Sequence, residues 1–277
     1  MKKMICMLLS LMLSCSCAMA AQNITVVSRE DGSGTRGAFV ELMNVLDEDG
    51  DDATTDYAEI TNSTAVMLAT VAGNQNAIGY VSLGSLNDAV KAVQIDGVEA
   101  SVENVINGSY AIARPFNICT AAEANELARD FIAFIMSADG QAIVSENSCI
   151  AVVPDAEAYV PAKLSGTIAV AGSTSVAPVM EKLAEAYMAL NPEVSIEIQQ
   201  SGSSAGIQST IEGACDIGMD SRELKASELE AGLTPMVIAR DGIAVIVNNE
   251  NPITSMTAEQ IRAIFLGEAE SWEEITE

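Results

Sequence analysis

Three observations predict an α/β fold. From residue 24 onward, short apolar runs of strand length alternate with longer segments whose apolar residues recur at helical spacing. The breaks between them are rich in Gly, Ser, Thr and Pro, and 277 residues at 49% hydrophobic content are enough to bury two modest cores.

The leader MKKMICMLLSLMLSCSCAMA stands outside that alternation. Lys2 and Lys3 precede an apolar run over 4–13 and an Ala18-Met19-Ala20 ending. This is the layout of a signal peptide over residues 1–20, and the run is too short to span a bilayer. The chain is therefore expected to be exported, to the periplasm or the outer face of the membrane. Leu13-Ser14-Cys15 also resembles a lipoprotein cleavage box, which makes Cys15 or Cys17 a candidate for lipidation. Strands are expected at 24–27, 77–82, 92–95, 167–171, 194–199, 216–219 and 242–248, where apolar and β-branched residues cluster. Helices are expected at 35–46, 64–72, 123–136, 175–190, 205–211 and 258–265, the last opened by Thr257 and Gln260 at capping-box spacing. Residues 154–165, with Pro154 and Pro161 and no clear period, read as a connector between two halves.

Composition narrows the function. With 39 acidic against 13 basic residues, a net charge of −26, the surface repels nucleic acid and anionic membranes, both of which need basic footprints. The acidic run 47–52 fails as a calcium loop: an EF-hand needs Gly at its sixth position and Glu at its twelfth, where this chain has Asp52 and Ala58. Cys119, Cys149 and Cys215 follow the leader without metal-ligand spacing. A Cys119–Cys149 disulfide is compatible with export, and so are buried free thiols. Neither a metal nor a cofactor is expected.

Three loops share one arrangement, in which small hydroxyl residues lie between a strand end and a helix start: Asp31-Gly32-Ser33-Gly34-Thr35, Gly172-Ser173-Thr174-Ser175 and Ser201-Gly202-Ser203-Ser204-Ala205-Gly206. Helix N-termini present free N–H groups and a positive dipole end, so the three together predict an anion site. Gly32 to Gly37 is also a literal G-x-G-x-x-G. Four polar residues separate it from its strand, however, and the region about 20 positions on is the acidic loop, which argues against a dinucleotide. Gly202 to Gly206 matches the G-x-S-x-G nucleophile elbow, but the chain contains no histidine to serve a Ser-His-Asp triad. The chain is not expected to be an enzyme.

The stretches GTIAVAGSTSVAPVMEKLAEAY, SGSSAGIQSTIEGACDIGMDSREL, DGIAVIVNNENPI, EQIRAIFLGE, ITVVSREDGSGTRGAF, AIGYVSLGSL and INGSYAIARPF together resemble the substrate-binding protein of a bacterial ABC phosphate transporter. The resemblance covers nearly the whole chain after the leader. It implies a two-lobed, type II-like periplasmic-binding-protein fold with a hinge, closing over inorganic phosphate and handing it to permease subunits. The order departs from the family: here 22–150 resemble its second half and 166–277 its first, so the chain reads as a circular permutant joined through 154–165. That order implies lobe one at 86–245 and lobe two at 21–85 plus 246–277. A truncated tandem and an exchange of halves between two chains are the rival explanations of the order, and a monomer is the expected state.

Carried over by motif, Arg29, Ser33, Gly34 and Thr35 would bind the anion from lobe two, and Thr174, Ser175 and Ser203 from lobe one. The planar fork of Arg29 suits a tetrahedral oxyanion, its competing role being a salt bridge to Glu30 or Asp31. Discrimination against sulfate calls for an acceptor for the phosphate proton. By spacing from Ser203, Ser221 sits where many family members carry Asp, and Asp220 is its neighbour; either of the two is the candidate. A different class of function, an envelope-bound sensor or adhesion module with the fold but without tight phosphate binding, is the alternative reading.

Overall fold

The computed structural model describes residues 23–276. The leader, with Cys15 and Cys17, lies outside the described residues. In lobe two, β1 (Thr25–Arg29) is buried from Val26 onward. It pairs in parallel with β2 (Glu59–Thr61) and β3 (Ala77–Ser82), whose AIGYVS run is buried throughout, as strands covered on both faces require. α1 (Gly34–Leu42) covers the sheet through Phe39, which stacks on Tyr80 at 4.1 Å between centroids. α2 (Thr64–Gly73) adds Met67 and Val71. The chain continues through β4 (Val90–Ala92), β5 (Gln94–Ile95) and α3 (Val102–Ile106).

β6 (Ala113–Thr120) enters lobe one, followed by α4 (Glu126–Ile135) and α5 (Ala138–Glu146). β7 (Gly166–Gly172), α6 (Ala177–Leu190), β8 (Val194–Gln200), α7 (Ser203–Ile211), β9 (Ile217–Asp220) and α8 (Ala226–Glu230) complete it. β10 (Thr234–Asn248) then returns, and β11 (Ser255–Met256), α9 (Ala258–Leu266) and α10 (Trp272–Thr276) close the described chain. α9 opens on the expected Thr257/Gln260 capping box.

The main sheet runs β2-β1-β3-β10-β6-β9-β7-β8 through both lobes, with β4 on β10 and a separate β5–β11 pair. β10 binds the lobes together: its first part pairs antiparallel with β6 and its last part with β3 and β4. One core gathers Phe39, Tyr80 and Phe265 with Val90, Val93, Val105, Ile112 and 243–247. The other gathers Phe131, Phe134 and Tyr187 with Ile118, Ile168 and Ile238. The 154–165 connector is docked on this second core: Tyr159 and Tyr187 both donate to the Asp130 carboxylate, and the Tyr159 ring lies edge-on to Phe134. Near the start of β1, Ile24 N–H donates to Glu270 O at 2.8 Å.

Several elements differ from expectation for local reasons. The helix expected to reach 46 stops at Leu42, because Met43 caps it and Asn44 turns left-handed at φ 54°. The expected strand 92–95 is two short strands pairing with different partners. β6 and the first half of β10 are strands that Pro115 and Pro235 hide from a pattern reading. Cys119, Cys149 and Cys215 are free thiols, the first two buried. Among the described residues no group of His, Cys, Asp and Glu is arranged to hold a metal, and no helix is long and apolar enough to cross a membrane.

Candidate functional site

The three hydroxyl-rich loops converge between the lobes. Ser33 caps α1, accepting from Arg36 N–H at 3.4 Å, which leaves Gly34 and Thr35 at the positive end of the helix dipole. β7 ends at Gly172, whose φ of 139° and close approach to the Met219 backbone admit only glycine. The chain then turns through Ser173, whose hydroxyl accepts from Ser175 and Val176 N–H before α6 starts. α7 starts at Ser203 behind Gly202. Arg29, Ser33, Thr35, Thr174, Ser175, Ser203, Asp220 and Ser221 are all buried.

The contacts across the lobes are direct. Thr35 and Ser175 hydroxyls lie 2.8 Å apart, and Arg29 Nη2 donates to Thr174 Oγ1 at 3.2 Å. Ser204 N–H donates to Gly32 O at 3.0 Å. A Cβ placed on Gly34 would stand 2.5 Å from Ser203 Oγ, 2.7 Å from Ser221 Oγ and 2.8 Å from Asp220 Oδ1. Glycine at this helix start is what lets the α1 N-terminus meet the opposite lobe.

Arg29 makes the expected ion pair with Glu30 while facing the hydroxyl cluster. Its Nε and Nη2 pair with the Glu30 carboxylate at 2.8 and 2.7 Å, yet the residue is 2% exposed and its remaining donors reach Thr64 and Thr174. Tyr80 braces it: the Tyr80 hydroxyl accepts from Arg29 N–H and bonds Ser28 Oγ. Asp220 and Ser221 both point inward. Ser221 Oγ bonds Ser173 at 3.0 Å and stands 3.5 Å from Ser203 Oγ, while Asp220 accepts from Ser221 N–H and from Arg222. Burial pushes the Asp220 carboxyl up to about 6, against the opposing pull of Arg222 and of hydrogen bonds from Ser203 and Ser221.

Two features escaped the sequence reading. Thr64, first residue of α2, places its hydroxyl 3.0 Å from Thr174 and 3.3 Å from Ser175, so a fourth helix start joins the cluster. The signal was present in Asn62-Ser63-Thr64, a further polar and hydroxyl-bearing run ahead of a helix. Arg114 and Asp241 also adjoin the site as a buried ion pair, which no local pattern announces because they lie on separate strands. Charges around the cleft are matched: Arg29 with Glu30, Arg114 with Asp241, and Arg222 with Asp220 and Glu228. Donors aimed into the cleft are thus mostly neutral hydroxyls and N–H groups, a set suited to an oxyanion rather than to acid–base turnover.

The PBP superfamily domain matches residues 17–139 and 158–276. A phosphate-binding protein PstS 2 of Streptococcus agalactiae is 50% identical over 258 residues, 91% of this chain and 88% of the relative. One from Streptococcus pneumoniae is 49% identical over 259 residues, 92% and 89% of the two chains. The crystal structure of a phosphate ABC transporter phosphate-binding protein from Streptococcus pneumoniae superposes with a TM-score of 0.72 at 48% identity, covering 91% of this chain and 99% of that one. This chain belongs to the PBP superfamily and, within it, to the family of PstS-type phosphate-binding proteins.

Proposed function

We propose that this chain is an exported, non-enzymatic binding protein that captures inorganic phosphate between its lobes and delivers it to ABC permease subunits. The observation that carries the reading is the convergence of the α1, α6 and α7 starts with Arg29 in one buried cluster. Phosphate replaces the hydroxyl-to-hydroxyl bonds across the cleft with bonds to its own oxygens. Arg29, Ser33, Gly34, Thr35, Thr174, Ser175 and Ser203 supply donors, with Thr64 as an addition. Asp220 and Ser221 form the discriminating corner: phosphate near pH 7 keeps a proton that the Asp220 carboxylate accepts, and sulfate has none to offer.

The lobe boundaries proposed are 112/113 and 241/242 rather than 85/86 and 245/246, a division supported by the membership of the two cores. The permuted order is supported by the pairing of Ile24 with Glu270 and by the docking of the connector through Tyr159. The ends that a permutation would create lie side by side. A monomer is the proposed state, with an exchange of halves between two chains as its rival. Lipid attachment at Cys15 or Cys17 is checked by the mass of the protein extracted from its host.

The test is isothermal titration of residues 21–277 with phosphate, then sulfate, in phosphate-free buffer. Saturable one-to-one heat with phosphate and none with sulfate is expected. Absence of heat from both, in folded protein, refutes the reading.

A further inference from the structure

The two strand crossings between the lobes lie side by side. In the β6–β10 ladder Arg114 stands directly opposite Asp241 and Ala113 opposite Gly242, and Ile243 N–H donates to Ile112 O at 2.8 Å. The hinge is therefore a two-stranded ribbon whose facing charged residues are 2% and 0% exposed. A cross-strand ion pair so deeply buried is weak evidence for stability, because desolvating both charges offsets much of their attraction. Burial alone drives the Arg114 guanidinium down and the Asp241 carboxyl up, each opposed by the other.

The remaining bonds of the pair reach into different lobes. Arg114 Nε and Nη2 both donate to Asp241 Oδ2 at 3.2 Å, while its Nη1 donates to the carbonyl of Ser221 at 3.1 Å, in the discriminating corner of lobe one. Asp241 Oδ1 in turn accepts from Ser82 Oγ at 2.7 Å and Gly84 N–H at 3.3 Å, at the end of β3 in lobe two. One hydrogen-bonded chain thus runs from the lobe-two sheet through both hinge strands to the turn that carries Asp220 and Ser221. The Arg114 guanidinium lies over the Phe116 ring, 5.2 Å from its centroid.

We propose that Arg114 and Asp241 are positioning residues for anion capture, coupling the angle between the lobes to the placement of the Asp220–Ser221 corner. The inference rests on the phosphate-binding reading of that corner. Opening the hinge displaces Ser82 and Gly84 relative to Ser221, and the fork of Arg114 cannot serve both ends at once; closure and a correctly held corner therefore occur together. Lysine keeps the charge opposite Asp241 but lacks the fork.

The experiment titrates inorganic phosphate into the wild-type chain, Arg114→Lys and Ser82→Ala, each with thermal melting and with small-angle scattering before and after phosphate. Ser82 contacts the pair and lies outside the anion cluster, so it reports on coupling alone. Binding by wild type, weakened about tenfold in both variants through faster release and with a smaller phosphate-induced compaction, is expected. Folded variants that bind within about twofold of wild type overturn the coupling, as does a lowered melting temperature with unchanged affinity, the mark of a purely structural pair. If wild type itself gives no phosphate heat, the reading of the site fails and the coupling falls with it, a result distinct from wild-type binding with unaffected variants.

Discussion

Arg29 and Asp220 carry the sharpest consequences at the scale of single residues. Arg29 divides its planar fork between Glu30 and the cluster, so a lysine that keeps the charge cannot reproduce both sets of bonds. Arg29→Lys should weaken phosphate binding by about 1.5–3 kcal/mol, read by titration, with little change in melting temperature. Asp220 has its folded pKa raised to about 6 from an ordinary 3.8, so in that interval the folded protein holds a proton that the unfolded chain has released. Stability consequently falls as pH rises from about 4 to 6, by roughly 3 kcal/mol on a two-unit shift, and stays reduced at neutral pH. Asp220→Asn should therefore melt higher than wild type at pH 7.5, with the gain shrinking toward pH 4, while losing its preference for phosphate over sulfate. A melting difference that is independent of pH between 4 and 7.5 would contradict this.

Among the elements, α1 makes the closest encounter with the opposite lobe. A methyl on Gly34 would press against Ser203, Ser221 and Asp220, so Gly34→Ala should hold the lobes apart and reduce phosphate affinity at least tenfold, about 1.4 kcal/mol, while far-UV circular dichroism remains that of wild type. The elements that build the buried hydroxyl cluster were legible because each announces itself locally: an apolar strand, a run of small hydroxyl residues, then helical spacing. The hinge was not. Its strands contain Pro115, Pro235 and the buried charges of Arg114 and Asp241, residues that ordinarily argue against a central strand. They are tolerated because the two charges face each other across the ladder, a fact of tertiary pairing that no window of sequence contains. The same limit applies to core membership, since Val90, Val105 and Ile112 join their core by contacts with segments far along the chain.

For the whole molecule, a rearranged order of halves should matter little if both junctions are short. A chain rebuilt as 166–277, a short flexible linker and then 23–165 should bind phosphate within a few-fold of the original, since Asn23 already pairs with Ser271 and the bodies of both lobes are unchanged. Loss of affinity by more than an order of magnitude in folded protein would show that the connector docked by Tyr159 supports the site directly. The matched charges of the cleft have a further consequence, in the kinetics of encounter. A phosphate ion approaching this chain meets the field of a strongly acidic body, and among the described residues the ion pairs of the cleft leave no excess of positive charge to offset that repulsion. Added salt, with a screening length of about 10 Å at 0.1 M, weakens the repulsion outside but barely reaches the closed cluster. Stopped-flow measurements should therefore find capture accelerating with ionic strength while release stays constant, the reverse of the behaviour of a receptor that draws anions in through a basic surface.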